Sequence, residues 1–192
     1  MGTSWSPAER RFTVGVLGSA RLGSDDVRWE LARRVGAALA GRGWSVMTGG
    51  YGGLMEAAAA GAASQGGHIL GLPMRSWDNL SPNPHASELL WCDSYPERLG
   101  HLLDCDAVVA LDGGIGTIAE LTVAWSVRQT ESRAPALVVA GHAWPALLAT
   151  ITEHMIIGAD DLALVSVAET AEDVITAIDL QVRLGRKAQP RG

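Results

Sequence analysis

The chain alternates short, continuously apolar runs with longer stretches in which apolar residues return every three to four positions. The apolar runs cover 12–18 (FTVGVLG), 44–48, 68–72, 88–92, 107–111, 136–140 and 163–167. A run with no polar alternation reads as a strand buried on both faces, and the longer periodic stretches read as helices. Those helices are expected at 27–40, 53–65, 96–104, 116–128, 144–153 and 171–182. Strand and helix taking turns along a chain predict an α/β fold: a Rossmann-like, doubly wound parallel sheet with helices on both faces, in a single domain. The domain is expected over 12–184, after a flexible polar segment at 1–11 and before a disordered basic tail at 185–192 (GRKAQPRG). The stretch 75–87 (RSWDNLSPNPHAS) is too rich in Pro, Asn and Ser to be an element and is expected as a loop.

Glycines punctuate this pattern where strands end. They fall after the first strand (Gly18, Ser19), after the second (Gly49, Gly50, Gly53) and after the fifth (Gly113, Gly114, Gly116). In doubly wound sheets, ligands bind beyond the carboxyl ends of the strands. Residues 108–121 (VVALDGGIGTIAEL) therefore read as strand, tight bend and helix start. Free backbone N–H groups and the positive end of the helix dipole make such a bend an anion site, and glycine lets the anion touch the backbone. The segment 48–62 (TGGYGGLMEAAAAGA) repeats the arrangement, so Gly49, Gly50, Gly53 and Met55, with Ser19, are candidates for further ligand contacts. Thr117 and Glu120 have the spacing of a capping box, and by spacing alone that is the default reading. An anion held at the helix end would free Glu120 to face the ligand. Ser94 and Glu97 have the same spacing ahead of Arg98, whose default is a solvated helix arginine. Trp77, in the proline-rich loop, is the tryptophan suspected of lying over a ligand ring.

Composition narrows the field. The chain has 192 residues and a formal charge of −6, which argues against general nucleic-acid binding. No apolar run is long enough to span a membrane, no secretory signal is visible, and the two cysteines, Cys92 and Cys105, lack metal or redox spacing. A cytoplasmic protein is expected. The P-loop pattern, the zinc spacings and the nucleophile-elbow pattern are all absent, and the first strand leads into GSARLGSDD rather than the dinucleotide fingerprint. No metal or resident cofactor is expected.

TGGYGGLMEAAAAGA, followed by PERLGHLLDCDAVVALDGGIGTIAEL, resembles the LOG ("lonely guy") family, once misnamed lysine decarboxylases. The family pattern is GGG-x-x-GLM, then an arginine ahead of a D-A strand, then PGG-x-GT-x-x-E. The resemblance extends from the first strand to about Ala140. It implies a Rossmann-like homodimer that hydrolyses the N-glycosidic bond of a nucleoside 5′-monophosphate, often a cytokinin nucleotide, to free base and ribose 5-phosphate. By the resemblance, Gly113, Gly114, Gly116 and Thr117 hold the phosphate, and Glu120 and Arg98 are the catalytic pair. Two departures stand out. Asp112 replaces the family's proline, which places a carboxylate near the phosphate turn. Where the enzyme pattern is M-H-x-R-K, this chain has Tyr95, Pro96, Glu97, Arg98 and Leu99. In these it is similar to a branch close to the molybdenum-cofactor carrier proteins. The alternative expectation is therefore a non-hydrolytic carrier or sensor of a nucleotide or phosphate-bearing cofactor.

Overall fold

The structure, a computed structural model, describes residues 11–131 and 133–188. Seven strands, β1 (Thr13–Leu17), β2 (Ser45–Thr48), β3 (Ile69–Gly71), β4 (Glu88–Leu89), β5 (Ala107–Leu111), β6 (Ala136–Ala140) and β7 (Val165–Ala168), form one sheet. Their order is β4-β3-β2-β1-β5-β6-β7, with every neighbouring pair parallel. The helices are α1 (Val27–Gly41), α2 (Leu54–Ala63), α3 (Tyr95–Leu103), α4 (Ile115–Thr130), α5 (Ala143–His154), α6 (Ala159–Leu162) and α7 (Ala171–Ala188).

Side chains alternate across each strand, so the two faces of the sheet carry two separate cores. Val14, Val16, Val109, Leu111 and Val138 pack under α1, α2 and α7 through Val35, Leu39, Ala58 and Ile178. Leu17, Val108, Ala110, Leu137 and Val139 pack under α3, α4 and α5 through Leu102, Leu121, Trp125 and Trp144. A smaller cluster of Met47, Leu70, Leu72, Met74, Cys92 and Cys105 fills the edge beside β3. This is the doubly wound sandwich that the apolar runs predict. The order in which strands are added reverses between β1 and β5, so the switch point, where a doubly wound sheet has its crevice, lies at the ends of these two strands.

Two glycines bring α1 and α2 together. A Cβ on Gly36 would lie 2.9 Å from Ala58 Cα, and one on Gly61 would lie 2.8 Å from the carbonyl carbon of Arg33. The alanine-rich sequence of α2 suits this backbone-to-backbone contact, which anything larger would prop open.

Differences from expectation are local. The short helix α6 is not anticipated by the sequence pattern. Asp161 organises it by accepting from Gly158 N–H at 2.9 Å and from Gln129 Nε2 at 2.6 Å. The last helix runs on to Ala188, so 185–188, expected as disordered tail, are helical. Residues 189–192 and the expected flexible segment, apart from Arg11, lie outside the described residues.

Candidate functional site

Three βα turns meet at the β1–β5 crevice. Ser19 N–H donates to Asp112 O at 3.1 Å, and Leu54 N–H, at the start of α2, donates to Ser19 O at 2.8 Å. The turns after β1, β2 and β5 are thereby bonded into one surface. The Ser19 hydroxyl is occupied locally, accepting from Arg21 N–H at 3.1 Å.

The glycines of the second turn divide by role. Gly50 and Gly53 have φ of +83° and +71°, a region that other residues rarely adopt, so the chain path itself requires them. Gly49 has no such need. A Cβ there would lie 2.7 Å from Met55 Sδ and would collide with the Arg98 guanidinium, so Gly49 is the gap through which Arg98 enters.

In the third turn α4 starts at Ile115, with Gly114 as its N-cap and no side-chain cap. Its first N–H groups therefore lack the side-chain acceptor that usually closes a helix start. A Cβ on Gly114 or Gly116 would meet nothing within 4 Å, whereas one on Gly113 would lie 2.9 Å from Thr117 Cγ2. Thr117 is buried against Gly113, which leaves the backbone N–H groups of the helix start as the donors of this turn. The capping box at Thr117 and Glu120 does not form, because the helix begins earlier and Glu120 lies well inside it. At Ser94 the box is half formed. The Ser94 hydroxyl accepts from Glu97 N–H at 3.3 Å, while Glu97 Oε2 accepts from Asp93 N–H at 2.7 Å rather than from Ser94.

Glu120 turns to Arg98 instead. Arg98 Nη1 donates to Glu120 Oε1 at 2.6 Å, with the two side chains only 9% and 13% exposed. Arg98 Nε donates to Leu72 O at 3.0 Å, and the guanidinium lies 5.6 Å from the centroid of the Trp77 ring. The solvated-arginine default fails because α3 turns this residue inward. Burial pushes the Glu120 carboxyl above its ordinary range. Arg98 and the Tyr95 hydroxyl draw it back without cancelling the shift. Burial and the nearby Glu120 charge push the Tyr95 phenol up in turn. A desolvated carboxylate fixed by one guanidinium is prepared to face developing positive charge.

The Asp112 side chain is engaged by the β6–α5 turn rather than by the glycine turn that follows it. It is buried, accepts from Ala143 N–H at 3.3 Å at the start of α5, and packs against Gly141, whose φ is +137°. A carboxylate at the positive end of α5 is stabilised there. His101 faces a separate cavity of about 160 Å³ with Thr13 and Asp104. A larger cavity, about 570 Å³, lies at the opposite end of the sheet, where Asp104, Asp106 and Glu131 mix with Arg128 and Arg133. It holds none of the glycine turns. No helix among the described residues is long and apolar enough to cross a membrane, and no group of three or more His, Cys, Asp or Glu among them could hold a metal ion.

The sequence reading misses Tyr95 and Tyr51. Tyr95 stands three residues before Arg98 on α3, a spacing that places the two on one helix face. Tyr51 is the lone aromatic among the second-turn glycines.

Fold and site together define a Rossmann-like α/β protein with an uncapped glycine turn and a buried Arg–Glu pair at its switch point. The chain belongs to the SLOG cluster4 family, whose model matches residues 11–131. It is 32% identical over 130 residues to an uncharacterized protein of Archaeoglobus fulgidus, covering 67% of this chain and 83% of that one. It is 42% identical over 101 residues to the cytokinin riboside 5′-monophosphate phosphoribohydrolase of Mycobacterium tuberculosis, covering 50% of this chain and 54% of that protein. Among solved structures, the molybdenum cofactor binding protein of Rippkaea orientalis superposes with a TM-score of 0.73 at 20% identity, covering 90% of this chain and 98% of that one. The molybdenum cofactor carrier protein of Chlamydomonas reinhardtii gives 0.68 at 21%, covering 91% and 99%. At these identities the likeness to the solved structures is one of fold.

Proposed function

We propose that this protein binds a nucleoside 5′-monophosphate at the β1–β5 crevice and hydrolyses its N-glycosidic bond. The observation that carries the reading is the buried Arg98–Glu120 pair one helical turn beyond an uncapped, glycine-open helix start. The phosphate takes the N–H groups of the turn at Gly113, Gly114, Gly116 and Thr117. It supplies remote binding energy and sets the ribose over Glu120. As the C1′–N bond breaks, the ribose becomes oxocarbenium-like and the Glu120 carboxylate stabilises it. Water adds its hydroxyl to C1′, and its proton ends on the departing base nitrogen. Arg98 keeps the carboxylate ionised and in place. Ser19, Gly49, Gly50, Gly53 and Met55 form the far wall of the crevice. A homodimer working in the cytoplasm completes this reading.

The test is chromatographic detection of free base from adenosine, guanosine, cytidine and uridine 5′-monophosphates and from a cytokinin nucleotide. Base release by the wild type and its loss in Glu120→Gln is expected. Equal inactivity of both on every nucleotide would overturn the reading. One observation favours the alternative, a carrier of a nucleotide or phosphate-bearing cofactor. Where the enzyme pattern has a lysine, Leu99 packs against the core and brings no charge to the site. A ligand that co-purifies and survives warm incubation intact would decide for the carrier.

A further inference from the structure

The loop that follows β3 is bolted to the second glycine turn at two points. Tyr51 Oη accepts from Met74 N–H at 2.8 Å, where the loop begins. Further on, buried Asn83 donates through Nδ2 to Tyr51 O at 3.1 Å and through its backbone N–H to Gly50 O at 2.8 Å. Trp77 lies between these bolts. Its ring stacks on Tyr51, with centroids 5.6 Å apart and planes 30° from parallel, and the Arg98 guanidinium lies 5.6 Å from its centroid. Tyr51 and Arg98 are both buried, whereas Trp77 is 38% exposed. The indole is thus held by two buried side chains of the site while more than a third of it stays uncovered. A large aromatic left partly uncovered while fixed in place by a phenol, a guanidinium and two loop anchors is a preformed platform for another flat ring.

We infer that the uncovered part of the Trp77 indole stacks the planar heteroaromatic base of the ligand and is the contact by which the site holds a base at all. The inference rests on the nucleotide-binding reading above, though not on hydrolysis. The order of groups supports it. The anion turn, Glu120, Arg98 and Trp77 follow one another, as phosphate, sugar and base do in a nucleotide. Arg98 links them, contacting Glu120 with one nitrogen while facing the indole.

The experiment is calorimetric titration of Glu120→Gln protein with two probes, adenosine 5′-monophosphate and ribose 5-phosphate, with and without Trp77→Ala or Trp77→Phe. The Glu120→Gln background prevents turnover during the titration. Trp77→Ala is expected to weaken the nucleotide at least about 5-fold, the lower end of what base stacking supplies, while ribose 5-phosphate affinity stays the same. Trp77→Phe restores most of the difference. Equal nucleotide affinity with and without Trp77, a parallel loss for ribose 5-phosphate, or no nucleotide binding at all would each overturn the inference. Trp77-dependent binding with no base release from the wild-type protein would remove the hydrolytic reading and leave this one standing. Base release that is indifferent to Trp77, with unchanged nucleotide affinity, would do the reverse.

Discussion

Glu120 carries two opposed influences in one carboxyl group. Desolvation favours its protonated form, and the Arg98 guanidinium 2.6 Å away favours the ionised one, with desolvation the larger. The ionised form is the one that can stabilise an oxocarbenium-like sugar. Activity should therefore fall on the acid side through a value above the 4.5 of an ordinary glutamate. Arg98→Met removes the influence that lowers the pKa, so the acid limb should move to still higher pH, while Arg98→Lys should move it less. A pH–rate profile of the three proteins checks this, and an unmoved limb in Arg98→Met would detach Arg98 from Glu120. The linkage to stability has its own sign. A carboxyl whose folded pKa is raised favours folding fully below its unfolded value, and that contribution is lost as pH climbs through the raised value. Ionising Glu120 thus costs stability at neutral pH, as is common at functional sites.

At the scale of elements, the start of α4 separates glycines the fold needs from glycines it does not. Gly113 lies against Thr117, so a methyl there has nowhere to go. Gly114 and Gly116 have open space around them and no left-handed backbone, but Gly114 is the N-cap, a position that itself favours glycine over alanine, whereas Gly116 lies within the first turn, where alanine is ordinarily favoured by up to about 1 kcal/mol. The fold thus gives no reason for glycine at 116, and the phosphate proposed above supplies one. Gly114→Ala and Gly116→Ala should melt within a few degrees of the wild type and yet lose most of their affinity for ribose 5-phosphate, because each methyl projects where the phosphate would approach the N–H groups. Gly113→Ala should instead lower the melting temperature. Thermal denaturation beside calorimetric titration separates the outcomes, and full phosphate affinity in both Gly114→Ala and Gly116→Ala would remove the turn from the site. Sequence spacing could not make this division. It counts glycines along the chain, whereas the need for one depends on what lies opposite in space. The same limit explains Gly36 and Gly61, whose close approach joins two helices that the sequence shows only as separate amphipathic stretches.

At the scale of the whole molecule, the layers and the location of the crevice were legible because both follow from local pattern: continuous apolar runs require burial on both faces, and glycine turns fall at strand ends. Contacts between elements remote in sequence were not. The inward turn of Arg98, the Tyr51–Trp77–Arg98 stack and the direction of Asp112 each depend on a neighbour supplied by another part of the sheet. Asp112 is the clearest case. From the sequence its charge threatens the phosphate turn, but in the fold it belongs to the next unit along, where it caps α5 from across the β5–β6 boundary. That placement gives it a structural duty with a measurable size. Removing a carboxylate that serves a helix start costs about 1 kcal/mol, or about 2–4 °C in melting temperature for a domain of this length. Asp112→Ala should show that loss, and Asp112→Asn, which keeps an oxygen for Ala143 N–H, should show less. If the carboxylate is turned away from the anion as the geometry has it, neither change should raise ribose 5-phosphate affinity by more than about 2-fold, since its charge is already engaged by the N–H of Ala143 and the positive end of α5. A 10-fold gain in Asp112→Asn would mean that the charge does act on the phosphate, and that the proline of the family pattern is absent here at a real cost to binding.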